Sequence, residues 1–148
     1  MLFVTAGTRL FIADQTSAPV PAAAWVEIAE PEAFGFLGSE WLMTEVEIAH
    51  MNSSDEGNQM IQAKRSLRRL PMQVVLGNDP SDPGQLMLWR AHYATRDFQF
   101  RLLFPDGVNA RQWSGVVTGM DEVFDAANSV MRLQAAILPT SKPIMTGA

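Results

Sequence analysis

The chain of 148 residues contains no cysteine. Disulfides, thiolate catalysis and cysteine-ligated zinc are therefore excluded, and folding in a reducing cytoplasm is the expectation. No apolar run approaches the roughly 20 residues of a membrane-spanning helix, so no membrane role is expected. The first residues, Met1-Leu2-Phe3-Val4-Thr5, have neither a positive n-region nor a long apolar h-region, and no leader is read there. Histidine is nearly absent, with His50 and His92 the two copies. Positive charge is scarce in the first part of the chain: residues 1–63 hold nine acids against the single base Arg9, a balance of −8. Residues 64–148 hold ten bases against seven acids, a balance of +3. Such a split describes either two solvated faces of opposite sign or a surface that complements a second copy of itself. Overall acidity argues against sequence-specific nucleic-acid binding, which needs a basic stripe.

What is present is mostly strand signal. Nearly half the residues are apolar, enough for one domain with its own core. Gly7–Asp14 and Ala24–Ile28 read as strands, separated by the proline-containing connector Gln15–Ala23. Pro31 interrupts the second, and Phe34–Gly38 is expected to resume the sheet after a kink. Leu42–Ala49 alternates, with Leu42, Thr44, Val46 and Ile48 on one side and Met43, Glu45 and Glu47 on the other. His50–Ser66 shows no periodicity and reads as a long loop, with Met51, Met60 and Ile61 lacking an obvious core to join. Loops of that length inside a compact domain are usually functional or disordered, and scattered apolar residues suit ordering against a partner.

Leu70, Met72, Val74 and Leu76 share the face of a further strand. Asp82-Pro83-Gly84-Gln85 predicts a helix start, with Asp82 as N-cap, Pro83 at the first helical position and Gln85 reaching back. The helix is expected over about 83–95, packing through Leu86, Trp89 and Tyr93, with Gly84 a mild liability. Phe98, Phe100, Leu102 and Phe104 alternate toward a core, and Pro105-Asp106-Gly107 signals a hairpin. Ala110–Met120 is a long strand, Asp121–Asn128 breaks it, and Ser129–Leu138 is the last, with Met131, Leu133, Ala135 and Ile137 inward. The fold class expected is mainly β, a sandwich or partly open barrel with one flanking helix and a long inter-strand loop. The whole of 1–148 forms one domain with an N-terminal arm, a loop at about 50–66 and a C-terminal arm at about 139–148.

Catalytic chemistry finds little support. A zinc site would need more ligands than two histidines at unrelated positions. Glu45/Glu47 and Asp121/Glu122 are paired acids, but alternation makes the first pair a solvated stripe and the second sits in a turn. No Gly-x-Ser-x-Gly elbow and no phosphate-cradling glycine loop occur. No catalytic residue, metal or cofactor is assigned. The basic cluster Lys64, Arg65, Arg68 and Arg69 is either a solvated strand entrance or a docking patch for the acidic part of a neighbouring copy. Trp25, Trp41, Trp89 and Trp113 could include a sugar-binding platform, although tryptophans are more often core or interface residues.

The order of these parts resembles the tail tube (major tail) proteins of long-tailed bacteriophages, over nearly the whole chain. The likeness lies in Trp25-Val26-Glu27-Ile28 before a Phe-rich stretch and Val46-Glu47-Ile48 before a polar-to-basic loop. It continues through Asp82-Pro83-Gly84-Gln85-Leu86 opening a helix and Phe98–Phe104 leading into Pro105-Asp106-Gly107. Trp113-Ser114-Gly115-Val116-Val117, Met131–Leu138 and Lys142-Pro143 complete it. The resemblance implies a structural virion protein, made in the bacterial host cytoplasm. Six copies would form a ring, and rings would stack into the tube that conducts DNA during ejection. Its partners would be further copies of itself and the tail tip, tape measure and tail terminator proteins. The loop would contact neighbouring subunits through Met51, Asp55, Glu56, Met60, Ile61, Lys64, Arg65 and Arg68, with Met1–Ala6 and Ile144–Ala148 as arms. Glu45 and Glu47 are candidates for the channel lining, where negative charge would keep phosphates from sticking. The rival readings are a type VI secretion tube protein and a monomeric β-sandwich that binds carbohydrate or peptide.

Overall fold

The computed structural model describes residues 2–48 and 59–146. The chain divides into two compact units: a body, 1–37 with 71–148, and a hairpin, Gly38–Leu70.

The body is one antiparallel sheet and one helix. Its strands are β1 (Arg9–Ala13), β2 (Val26–Ile28), β3 (Pro31–Ala33), β6 (Met72–Gly77), β7 (Phe98–Leu103), β8 (Ala110–Val123), β9 (Arg132–Pro139) and β10 (Ile144–Thr146). The remaining two, β4 (Ser39–Ile48) and β5 (Gln59–Arg69), belong to the hairpin. The body's sheet runs β2-β1-β7-β8-β9-β6-β3, and β10 adds to β8 beside the end of β9. Its two ends, β2 and β3, are separated in the chain by Ala29 and Glu30 alone, so the sheet curls until they approach without bonding to each other. Glu30 makes the crossing in the left-handed region (φ 61°), and its carbonyl accepts from Gly77 N at 2.8 Å. The result is sandwich-like and is not closed into a barrel.

Alternation places Leu10 and Ile12, Met72, Val74 and Leu76, Phe98 and Phe100, and Leu133, Ala135 and Ile137 in one core, all fully buried. Trp113 stacks on Phe100, its register partner, with ring centroids 5.9 Å apart. Each large side chain buried there contributes about 1.5–3 kcal/mol before entropy costs.

The helix α1 (Pro83–Tyr93) starts as expected: Asp82 Oδ2 accepts from Gln85 N at 3.0 Å. The same oxygen also accepts from Ala29 N at 3.1 Å, tying the cap to β2. Gln85 is buried and forms a junction. Its amide nitrogen donates to Ala29 O (3.1 Å) and Gly77 O (2.8 Å), and its oxygen accepts from Asp79 N (3.0 Å).

The helix docks through a face that overlaps the predicted one at Trp89, which is half-buried against the core, and departs from it at Leu86 and Tyr93. Gly84, Gln85, Leu88 and Ala91 are buried, whereas Leu86 is 52% and Tyr93 78% exposed. The reason is Gly84, where an added Cβ would lie 2.2 Å from Glu27 O and 2.6 Å from Ile28 Cα. The bare glycine lets the helix backbone approach β2, which leaves Leu86 and Tyr93 outward while Trp89 packs at the margin of the core.

Other boundaries also differ. Residues 59–66, expected as loop, belong to β5. Pro31 opens the edge strand β3, where its missing N–H costs no ladder bond, and Phe34–Gly38 forms no strand. β8 runs on to Val123 through the acids Asp121 and Glu122, because its ladder to β9 continues to Arg132. Met131 is exposed outside β9. Within the expected C-terminal arm, Ile144–Thr146 is a strand bonded to β8.

Candidate functional site

Among the described residues no three of His, Asp or Glu converge as metal ligands. His92 packs against Trp89 and Tyr93 on α1, and His50 lies outside the described residues. A cavity of about 430 Å³ opens beside the N-terminal segment, between Phe3, Phe34, Leu102 and Phe104. Its walls carry no titratable side chain.

The unusual surface is the hairpin. β4 and β5 pair antiparallel from Ser39↔Arg69 to Ile48↔Gln59, and Leu70 N donates to Gly38 O at 3.0 Å across its base. The register shifts between Leu42↔Ser66 and Met43↔Lys64, leaving Arg65 as the extra residue of a bulge. One face therefore carries Trp41, Met43, Glu45 and Glu47 with Met60, Gln62, Lys64 and Leu67. The other carries Leu42, Thr44 and Val46 with Ile61, Ala63 and Arg68. Lys64 lies over the Trp41 ring at 5.0 Å, and Gln62 donates to Glu45 at 3.3 Å.

None of the hairpin's described residues is buried. Trp41, Leu42, Met43, Val46, Met60, Ile61 and Leu67 are all exposed, Met60 by 55%. Two-stranded hairpins are marginal in water without packing, and long apolar strands with open edges invite further strands. The hairpin's sheet has no third strand among the described residues, so both outer edges are open.

Charge on the hairpin is segregated by strand. β4 holds Glu40, Glu45 and Glu47 and no base; β5 holds Lys64, Arg65, Arg68 and Arg69 and no acid. Arg68 and Glu40 form an ion pair across the two strands.

Of the predicted contact residues, Met60, Ile61, Lys64, Arg65 and Arg68 lie along β5, while Met51, Asp55 and Glu56 fall outside the described residues. The lumen candidates Glu45 and Glu47 lie along β4, on the face that also bears Lys64. Sequence reasoning named Trp41 only among four tryptophans that could be exposed or interfacial, and did not pick out Met43 and Leu67 as contact residues. The signal available for them was apolar side chains interspersed with charges opposite a basic strand.

The body's electrostatics are local. Arg96, through its hydrogen bond, and then Arg90 hold the Asp14 carboxyl below its ordinary range. Arg9 does the same for Glu27 through a two-point bridge with both contacts at 2.7 Å. Asp106 is lowered chiefly by the backbone N–H of Val108 in the β7–β8 turn. Arg101, at the middle of β7, has a buried Nε without a partner among the described residues.

No protein-family model and no curated protein matches the sequence. Solved structures do match. A chain of the anti-feeding prophage baseplate superposes with a TM-score of 0.66 at 11% identity, over 99% of this chain and 97% of that one. The SPP1 tail tube protein gives 0.62 at 12% identity, over 99% of this chain and 80% of that one. This is the tail-tube fold. A chain from the sheath/tube terminator structure of an extracellular contractile injection system also shares it, at 0.64 and 10% identity, over 98% and 96%. At such identities the likeness is one of backbone architecture.

Proposed function

We propose that this chain is a structural subunit of a bacteriophage tail tube. Copies join edge to edge into rings of six, and the rings stack into a hollow tube that conducts DNA during ejection. The observation that carries the reading is the hairpin, with no buried residue and two open edges among the described residues, on a chain that has the tail-tube fold. Closing such edges across subunits removes the liability of an unpaired sheet and covers the exposed apolar residues.

In the assembled tube, Met60, Ile61, Lys64, Arg65 and Arg68 meet neighbouring subunits, and Met51, Asp55 and Glu56, which lie outside the described residues, are proposed to join them. Glu45 and Glu47, on a face they share with Lys64, turn to the channel, where their carboxylates repel phosphates. Tail tip, tape measure and terminator proteins complete the structure, and subunits are made in the host cytoplasm before assembly. The matches to contractile injection particles support a second reading, a tube subunit of a particle of that kind.

Concentrating the purified protein and imaging it by negative-stain electron microscopy tests both. Hollow filaments or six-fold rings are expected. A strict monomer at millimolar concentration, by sedimentation, contradicts the proposal.

A further inference from the structure

The ring reading leaves open what sets the direction of joining. A hairpin with two open edges can extend in three ways: β5 on a neighbour's β4, β4 on β4, or β5 on β5. The last two are two-fold contacts, each of which pairs two copies at one edge; the first is head-to-tail, repeats with a single kind of contact and can close into a ring. Rotation about a ring axis also makes the β5–β4 contact antiparallel automatically, so it continues the ladder already present in β4–β5.

The charges distinguish these arrangements. The described part of β4 carries three acids and no base, and β5 four bases and no acid. Within the hairpin Arg68 pairs with Glu40, while Lys64 covers Trp41 and Glu45 takes an amide from Gln62. Lys64, Arg65 and Arg69 make no ion pair among the described residues. A hairpin built only for its own stability would interleave the signs across the ladder.

We infer that the split is a polarity code: the basic β5 edge of one copy accepts the acidic β4 edge of a second copy, and both two-fold pairings are refused by like charge. The inference rests on the ring reading and adds direction to it. Repulsion against the wrong arrangement does as much as attraction in the right one. The Arg65 bulge fits the same role, since it lets the strand twist and places one more cation on the β5 strand.

The test uses full-length chains. Glu45→Lys/Glu47→Lys makes both edges basic, and Lys64→Glu/Arg65→Glu leaves β5 with acids facing an acidic β4. A quadruple variant combines all four and reverses the code. Circular dichroism should show each variant folded, because the core contains no hairpin residue.

Each double variant alone should need at least about tenfold higher concentration than wild type to assemble, read by sedimentation and electron microscopy. An equimolar mixture of the two should assemble near the wild-type concentration, alternating around an even-numbered ring, and the quadruple variant should assemble alone. If wild type forms tubes and the double variants do so equally well, the code is overturned and the tube reading stands. Failure of both the mixture and the quadruple variant overturns it too. A wild type that forms only two-fold dimers joined through β4–β4 or β5–β5 overturns code and ring together.

Discussion

The body and the hairpin are built from the same strand geometry and differ in where their apolar side chains go. In the body, Trp113 lies under β7 against Phe100, 2% exposed. In the hairpin, Trp41 is 44% exposed and its ring carries Lys64. The body is complete as a fold, with a core drawn from β1, β2, β6, β7, β8, β9 and α1. The hairpin is a strand pair whose burial has to come from outside its own ladder. On the proposed function, stability and assembly fall to different parts of one chain.

The sharpest way to break this contrast is to truncate the two tryptophans. Trp113→Ala should cost about 3–5 kcal/mol in denaturant unfolding, with a cavity left under β7. Trp41→Ala should change monomer stability by no more than about 0.5 kcal/mol and weaken assembly instead. Equal losses in the monomer would erase the distinction.

Next in size is Gly84→Ala. The Cβ would overlap the β2 backbone at Glu27 and Ile28, so a loss of about 1–3 kcal/mol or more is expected in thermal unfolding. Gly84 also shows how far the sequence could be read. Asp82, Pro83 and Gln85 announced the helix start because capping chemistry is local. The docking face was misread because a glycine contact leaves no hydrophobic signal: Leu86 and Tyr93 have helical spacing yet face outward. β5 was missed for a related reason. Periodicity reports burial on one face, and Met60–Arg69 buries neither; the Arg65 bulge then breaks its parity. Strands that reach the core were the more legible: Phe98–Leu103 almost to the residue, and Arg132–Pro139 apart from its start, which was read three residues early with Met131 inward. The candidate site was legible as a charge split and an aperiodic stretch, while its hairpin geometry was not.

Replacing Ser39–Arg69 with a short turn between Gly38 and Leu70, which already share a hydrogen bond, should leave the body's melting temperature within a few degrees of wild type. The same change should abolish tubes. Shortening within 53–62 is a less clean version, since Gln59–Gln62 belong to β5.

The smallest effect concerns acid. Asp14 and Glu27 titrate below their ordinary range in the folded body because of Arg96, Arg90 and Arg9. The stability they add is present above pH of about 4 and is lost as pH falls through the lowered values. Both carboxylates are partly exposed, so solvent screening holds each contribution to about 1 kcal/mol or less. Asp14→Asn should flatten the acid limb of a stability-against-pH curve slightly and leave assembly at neutral pH unchanged.

Amide hydrogen exchange, compared between dilute monomer and assembled material, tests the division of labour most directly. Completion of the hairpin by its own copies requires the outward-pointing amides of β4 and β5 to exchange fast in the monomer. They should become strongly protected on assembly, while the amides of β1, β7 and β9 stay protected in both. Hairpin amides that exchange equally fast in monomer and assembly would contradict the account.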